Sequence, residues 1–363
     1  MTENAPYLDG IVADWRQPAP AVSAWISGGV GATVPAASPS FAMRRAAVRL
    51  SVLLAFLTAP AALSAQLKVT WLAAEADVTP FYAETTWGSL RGCIHVTTPL
   101  LNITFVTDSG FRPSARGTVD RALPASLRLA GLRPVDFQEI ADAVHDAFVA
   151  ELKGQGMDLL PYEPLTVNPG FQELADHAPR SGREQIVSQA YQAVASVSGA
   201  RKTTTFVGHH CPWVESFLSA NYLPATRLTR ELGVTLPVVS FLVDFVEYST
   251  DRTITYDWSQ FGRAGAAADV PRLRARPHVY VAAGSINLLT PDSQTAALAL
   301  TAPLGYENAF VVAIHSIRGR DREERAGGSY EVTVDPAAFQ QAVTAALTAH
   351  VKLMARKVAA GAR

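Results

Sequence analysis

With 363 residues, 48% of them apolar and 17% charged, and a formal net charge of -1, the chain has the composition of a globular protein without a basic excess. That balance argues against nucleic acid or an anionic lipid surface as an electrostatic partner, because both are held mainly by clustered Lys and Arg. The length allows a proper hydrophobic core that does not depend on staples.

Residues 1–42 combine Pro18, Pro20, Pro35 and Pro39 with Gly28, Gly29 and Gly31 and show neither helical nor strand periodicity, so they are expected to be a disordered extension or the product of a mis-assigned start. A leader pattern follows at 43–65. Met43, Arg44, Arg45 and Arg49 give a cationic head, 50–57 a short apolar run, and Ala62, Leu63 and Ser64 a small-residue exit suited to cleavage after Ser64. The run is shorter than the ~20 apolar residues that span a bilayer, and Pro60 interrupts it, which favours a cleaved signal peptide over a stable membrane span. No cysteine follows the run, so the lipid-modified class of leader is not indicated. The expected location is periplasmic or secreted, with about 299 residues left after removal of the first 64 of 363. Cys93 and Cys211 then fall in an oxidising compartment, where one disulfide and two separate buried thiols are both open readings.

After a transitional segment at 66–92, residues 93–363 read as a single α/β domain. The stretch 94–106 is rich in Val, Ile, Thr and Phe and reads as a strand or two collinear pieces broken at Pro99. Asp136 and Glu139 then form a capping-box pattern before Phe137, Ile140, Ala141, Val144, Phe148 and Leu152, whose helical spacing runs until Gly154 and Gly156. Residues 157–160, closed by Pro161, read as an inner strand after a crossover helix. Ser181 and Glu184 repeat the box ahead of Ile186, Val187, Ala190, Tyr191, Val194 and Val197, which predicts a second helix ending at Gly199. A strand at 203–207 and a brief helix at 223–232 lead to 236–248. There the run from Val238 to Val243 is apolar on both faces, as in the middle of a covered sheet. This alternation predicts a layered parallel or mixed sheet. Strands at 279–289, 309–317 and 330–334 follow without intervening helices and are expected to form an antiparallel extension. A long helix closes the chain, capped by Asp335, opened by Pro336 and turning Phe339, Val343, Leu347, Val351, Met354 and Val358 inward.

Chemistry-bearing motifs are sparse. Gly208-His209-His210-Cys211-Pro212-Trp213 offers two imidazoles and a thiol beside a strand end, but adjacent residues rarely close on one ion, and the string has no spaced metal-ligand pattern. His95, His177 and His278 are the other histidines considered for convergence with it. No Gly-x-Ser-x-Gly elbow is present, and Ser285 in Ala283-Gly284-Ser285-Ile286 is only a partial echo inside a predicted strand. Cys211 beside His210 would point to the opposite face of an extended segment and so would not pair with it. No glycine loop sits between a strand and a helix to cradle phosphate. The run from Asp321 to Arg325 reads as a solvated hairpin tip. Aromatics at Trp213, Phe217, Tyr222, Tyr248, Tyr256, Trp258 and Phe261 are expected to be buried more often than ligand-facing. These readings assign no catalytic residue, no metal ligand and no cofactor.

The phrases Phe148-Val149-Ala150-Glu151-Leu152-Lys153-Gly154-Gln155-Gly156-Met157-Asp158-Leu159-Leu160 and Arg230-Glu231-Leu232-Gly233-Val234-Thr235-Leu236-Pro237-Val238-Val239 resemble exported bacterial α/β domains. The families concerned are the curli-secretion lipoproteins and the amino-terminal domain of the Tol propeller protein. The resemblance is one of pattern and covers about half of the chain after the leader. The lipid-attachment cysteine of the first family and a clear pair of pore-forming hairpins are both missing. The resemblance implies an exported envelope protein with a binding or assembly role, its partner another envelope protein or a small ligand. A secreted hydrolase whose site assembles only in three dimensions is the alternative from a different class, and an oligomeric structural element of the envelope is a third.

Overall fold

The computed structural model describes residues 70–73, 76–111, 125–179, 181–187, 201–209, 211–214, 221–251, 272–307, 309–317 and 329–363. The expected leader at 43–65, the segment 1–42 before it, His210 and the charged run 321–325 lie outside the described residues. The strands in chain order are β1 (Thr70–Leu72), β2 (Tyr82–Thr85), β3 (His95–Thr97), β4 (Leu100–Phe111), β5 (Ala125–Ala130), β6 (Asp158–Leu160) and β7 (Arg183–Val187). They continue as β8 (Arg201–Val207), β9 (Leu236–Asp251), β10 (Arg272–Leu289), β11 (Thr295–Leu300), β12 (Leu304–Tyr306), β13 (Val311–Ile317) and β14 (Ser329–Val334). The α-helices are α1 (Pro134–Gly154), α2 (Tyr162–Thr166), α3 (Pro169–His177), α4 (Tyr222–Leu232) and α5 (Pro336–Ala362).

This is an α/β fold built on one large mixed sheet. Twelve strands follow the order β1-β12-β10-β9-β4-β5-β14-β13, with β11 and then β2 joined to β10, and β8 and then β7 joined to β4. As its double-sided apolar run requires, β9 lies inside the sheet, antiparallel to β10 and parallel to β4, with Val238, Val239, Phe241, Leu242 and Val243 buried. The strands expected as one antiparallel extension divide instead. β10, β11 and β12 extend one side of β9, whereas β13 and β14 reach the far side, where β14 pairs parallel with β5.

The pairings also orient the sheet. β4, β7, β9 and β13 all run the same way, and each is followed by its antiparallel partner β5, β8, β10 or β14. In each pair the end of the first strand and the start of the second therefore lie at the same end of the sheet. The start of β4, the start of β9 and the end of β8 share the opposite end.

Two sequence expectations are corrected. The helix predicted from Ser181 is, over Arg183–Val187, strand β7, paired antiparallel to β8 from Arg183 opposite Thr205 to Val187 opposite Arg201. The residues of that prediction from 188 onward lie outside the described residues. Ser181 does not cap a helix because its hydroxyl is used elsewhere, donating to Gln138 Oε1 at 3.1 Å and accepting from the Val207 N–H at 3.3 Å. Gly182 then turns the chain at φ +77°, a conformation glycine adopts without a steric penalty. The second correction concerns 157–160. Asp158–Leu160 does not enter the main sheet but pairs parallel with β3 in a separate two-stranded sheet, so the pieces either side of Pro99 belong to different sheets.

Helices α1 and α5 pack on each other and on one face of the large sheet. α1 starts slightly earlier than its Asp136–Glu139 pattern indicates. Pro134 opens it, and Asp136 sits inside the first turn, where its buried carboxylate accepts the Arg133 N–H at 2.6 Å and the Arg133 guanidinium at 2.9 Å. Those hydrogen bonds from Arg133 hold the Asp136 carboxyl below its ordinary pKa. Asp335 caps α5 as expected, its side chain accepting the Ala338 N–H at 3.1 Å.

The apolar stripes predicted for both helices are buried: Phe137, Ile140, Ala141, Val144, Phe148 and Leu152 on α1, and Phe339, Val343, Leu347, Val351, Met354 and Val358 on α5. A smaller core gathers Leu165, Phe171 and Leu174 with Ala225 and Leu228 of α4 against Leu100, Leu236 and Val238. Gly233 ends α4 at φ +66°, a left-handed helix terminus. Among the described residues no helix is long and apolar enough to cross a membrane.

Candidate functional site

The site forms where α1 passes the end of β8. Asp142, His145 and Asp146 are three and four residues apart and so share one face of α1. The chain leaves β8 through Gly208, whose N–H donates to the Leu101 carbonyl at 3.0 Å, and His209 follows on the turn. His209 has φ +41°, in the left-handed region that non-glycine residues seldom occupy and that costs on the order of 1–3 kcal/mol. Asp142 holds that turn, its Oδ1 accepting the His209 N–H at 2.6 Å and the Gln138 side-chain amide at 2.8 Å.

His209 Nε2 then lies 2.9 Å from Asp146 Oδ1, and its Nδ1 lies 3.6 Å from Asp142 Oδ1. The His145 and His209 rings meet edge to face with centroids 5.1 Å apart. One donor atom each from His145, Asp146 and His209 falls within 4.8 Å of the others. The site is buried on one side and open on the other: His145 is 5% exposed, whereas the side chains of His209 and Asp146 are 44% and 69% exposed.

His145 is unusual in its bonding. Its Nε2 faces Cys211 Sγ at 3.8 Å, and the Cys211 thiol donates to the Pro99 carbonyl at 3.2 Å. Its Nδ1 is buried without a hydrogen-bond partner, 3.8 Å from Asp146 Oδ1. A buried polar atom left in that state costs about 1–3 kcal/mol. Burial, and then the neighbouring His209, hold His145 below its ordinary pKa, which favours the neutral ring over the charged one.

Gly208 is needed for this approach, since a Cβ there would stand 2.7 Å from the His145 Cβ. Gly208→Ala is expected to cost about 1–3 kcal/mol by overpacking. Urea unfolding monitored by circular dichroism checks it, and a change under about 0.5 kcal/mol would show that the helix and turn are not in tight contact.

Of the described histidines singled out in the sequence, His209 alone reaches this cluster. His95 on β3 pairs with Asp158 at 2.7 Å, His177 at the end of α3 bonds the Glu173 carbonyl at 2.8 Å, and His278 on β10 packs edge-on against Trp71. Sequence reasoning misses His145, although its spacing from Asp142 and Asp146 is there to be read. Cys93 and Cys211 are both free thiols. Burial pushes the Cys211 thiol up to about 12, which leaves it protonated and poorly nucleophilic. Ser285 occupies a ladder position of β10 between Ser240 and Ala299. Trp213 is buried and Tyr222 packs against the smaller core, in keeping with packing roles, and Phe217, Tyr256, Trp258 and Phe261 lie outside the described residues. Comparison of the chain with family models, curated proteins and solved structures gives no match.

Proposed function

We propose that this chain is an exported protein of the bacterial cell envelope that acts by binding, through the cluster of Asp142, His145, Asp146 and His209. The observation that carries the binding reading is the half-open donor set, with a buried imidazole whose Nδ1 lacks a hydrogen-bond partner on one side and solvent-facing His209 and Asp146 on the other. The secreted-hydrolase alternative draws less support, because Cys211 is a buried protonated thiol and Ser285 is built into the sheet. Export is supported by the leader pattern at 43–65, and the envelope by the resemblance of the α1–β6 and α4–β9 phrases to exported domains.

Expression of the full chain in a bacterial host, followed by fractionation and intact-mass measurement, tests the location. The expected result is periplasmic or secreted protein beginning at Ala65. Recovery of cytosolic protein that retains residues 1–64 would overturn the exported reading.

A further inference from the structure

We propose that His145, Asp146 and His209 form a site for a divalent first-row transition metal ion of the zinc class, held by His145 Nδ1, Asp146 Oδ1 and His209 Nε2. This deepens the binding reading by naming the ligand of the same cluster, and it does not depend on export. Two imidazoles and one carboxylate suit zinc and its neighbours better than calcium or magnesium, which prefer oxygen donors throughout.

Two independent observations point to an ion. The first is the convergence of the three donors. The second is His145 Nδ1, a buried ring nitrogen without a hydrogen-bond partner, 3.8 Å from Asp146 Oδ1. The 2.9 Å hydrogen bond between His209 and Asp146 leaves that nitrogen unused; a shared cation would engage all three atoms. Metal bonds of ~2.0–2.2 Å imply tetrahedral donor separations of roughly 3.3 Å. The 2.9 Å and 3.8 Å distances from Asp146 Oδ1 to the two rings lie on either side of that value. The exposed His209 side chain can swing to close the remaining edge.

The surroundings match those of a ligand set. A metal-bound histidine is commonly held in orientation by a carboxylate or similar acceptor. Asp142 orients His209 through its backbone, Oδ1 accepting the His209 N–H at 2.6 Å, and lies 3.6 Å from Nδ1, while Cys211 sulfur stands 3.8 Å from His145 Nε2. Asp142 is thus a positioning residue, while the open side of Asp146 leaves a fourth coordination position for water.

The test uses the full chain without a polyhistidine tag, freed of metal by chelator dialysis. Zinc is titrated by calorimetry, and cobalt(II) serves as a spectroscopic probe of coordination. The expected result is one saturable equivalent of zinc and a cobalt spectrum of low coordination number. His209→Asn, chosen because asparagine tolerates the left-handed backbone, and Asp146→Asn should each weaken binding at least about 10-fold, and Asp142→Asn by about 10–100-fold. His95→Ala, which removes the exposed pair with Asp158, should leave binding unchanged. Absence of saturable uptake by folded protein, uptake unaltered in the His209→Asn/Asp146→Asn double variant, or loss of uptake in His95→Ala would each overturn the proposal. Failure here with periplasmic recovery intact would leave export standing.

Discussion

Replacing His350 with leucine is expected to lower the unfolding free energy by about 3–5 kcal/mol, as loss of a buried hydrogen-bonded bridge does. The ring lies on α5, fully buried, with Nδ1 2.7 Å from the Tyr82 hydroxyl and Nε2 2.7 Å from the Tyr306 hydroxyl. It therefore ties the helix to β2 and β12 together. A neutral imidazole suits this position, donating through one nitrogen and accepting through the other. Burial pushes its pKa down from 6.5 to about 3. Between those values the unfolded chain binds the proton and the folded chain does not, so stability rises with pH. The contribution is full above about pH 6.5 and is lost as pH falls toward about 3, by about 1.4 kcal/mol per unit. His350→Leu should remove that slope. Urea unfolding of both proteins from about pH 7 to about pH 4 checks the magnitude and the slope; parallel curves less than about 1 kcal/mol apart would show that the bridge contributes little.

Long elements are legible in the sequence, and their partners are not. The stripes on α1 and α5 extend over several turns, and the run in β9 is apolar on both faces, so local pattern suffices for each. Ser181 and Glu184 carry an equally good helix-start pattern, but the Ser181 hydroxyl is engaged by Gln138 and Val207, contacts made only once α1 and β8 are packed. The division of the last strands between two sides of the sheet is likewise a matter of long-range pairing, which periodicity does not encode. The site is half visible. His209 stands out within a chemical-looking string, while His145, inside an apolar helical stripe, looks like any core residue. Only the approach of Gly208 to α1 brings the two rings together.

Phe137→Ala is expected to cost about 3–5 kcal/mol, the usual range when a buried phenylalanine is truncated and its neighbours cannot collapse into the space. The Phe137 ring stacks on Phe206 at 5.4 Å, lies 4.8 Å from Phe105 and meets Phe339 edge-on at 6.2 Å. Those rings belong to β8, β4 and α5, so one α1 side chain joins both helices to the sheet. Each aromatic pair adds about 0.5–1.5 kcal/mol beyond the area it buries. Phe137→Leu keeps most of the apolar volume while losing the ring geometry, and is expected to cost less than half as much as alanine. A double-mutant cycle of Phe137 with Phe206 should give a coupling of about 0.5–3 kcal/mol. Denaturant unfolding of the single and double variants measures these terms. A Phe137→Ala cost below about 1 kcal/mol would mean that the helices and the sheet do not depend on this contact, since so small a loss requires the surrounding rings to close over the vacated space.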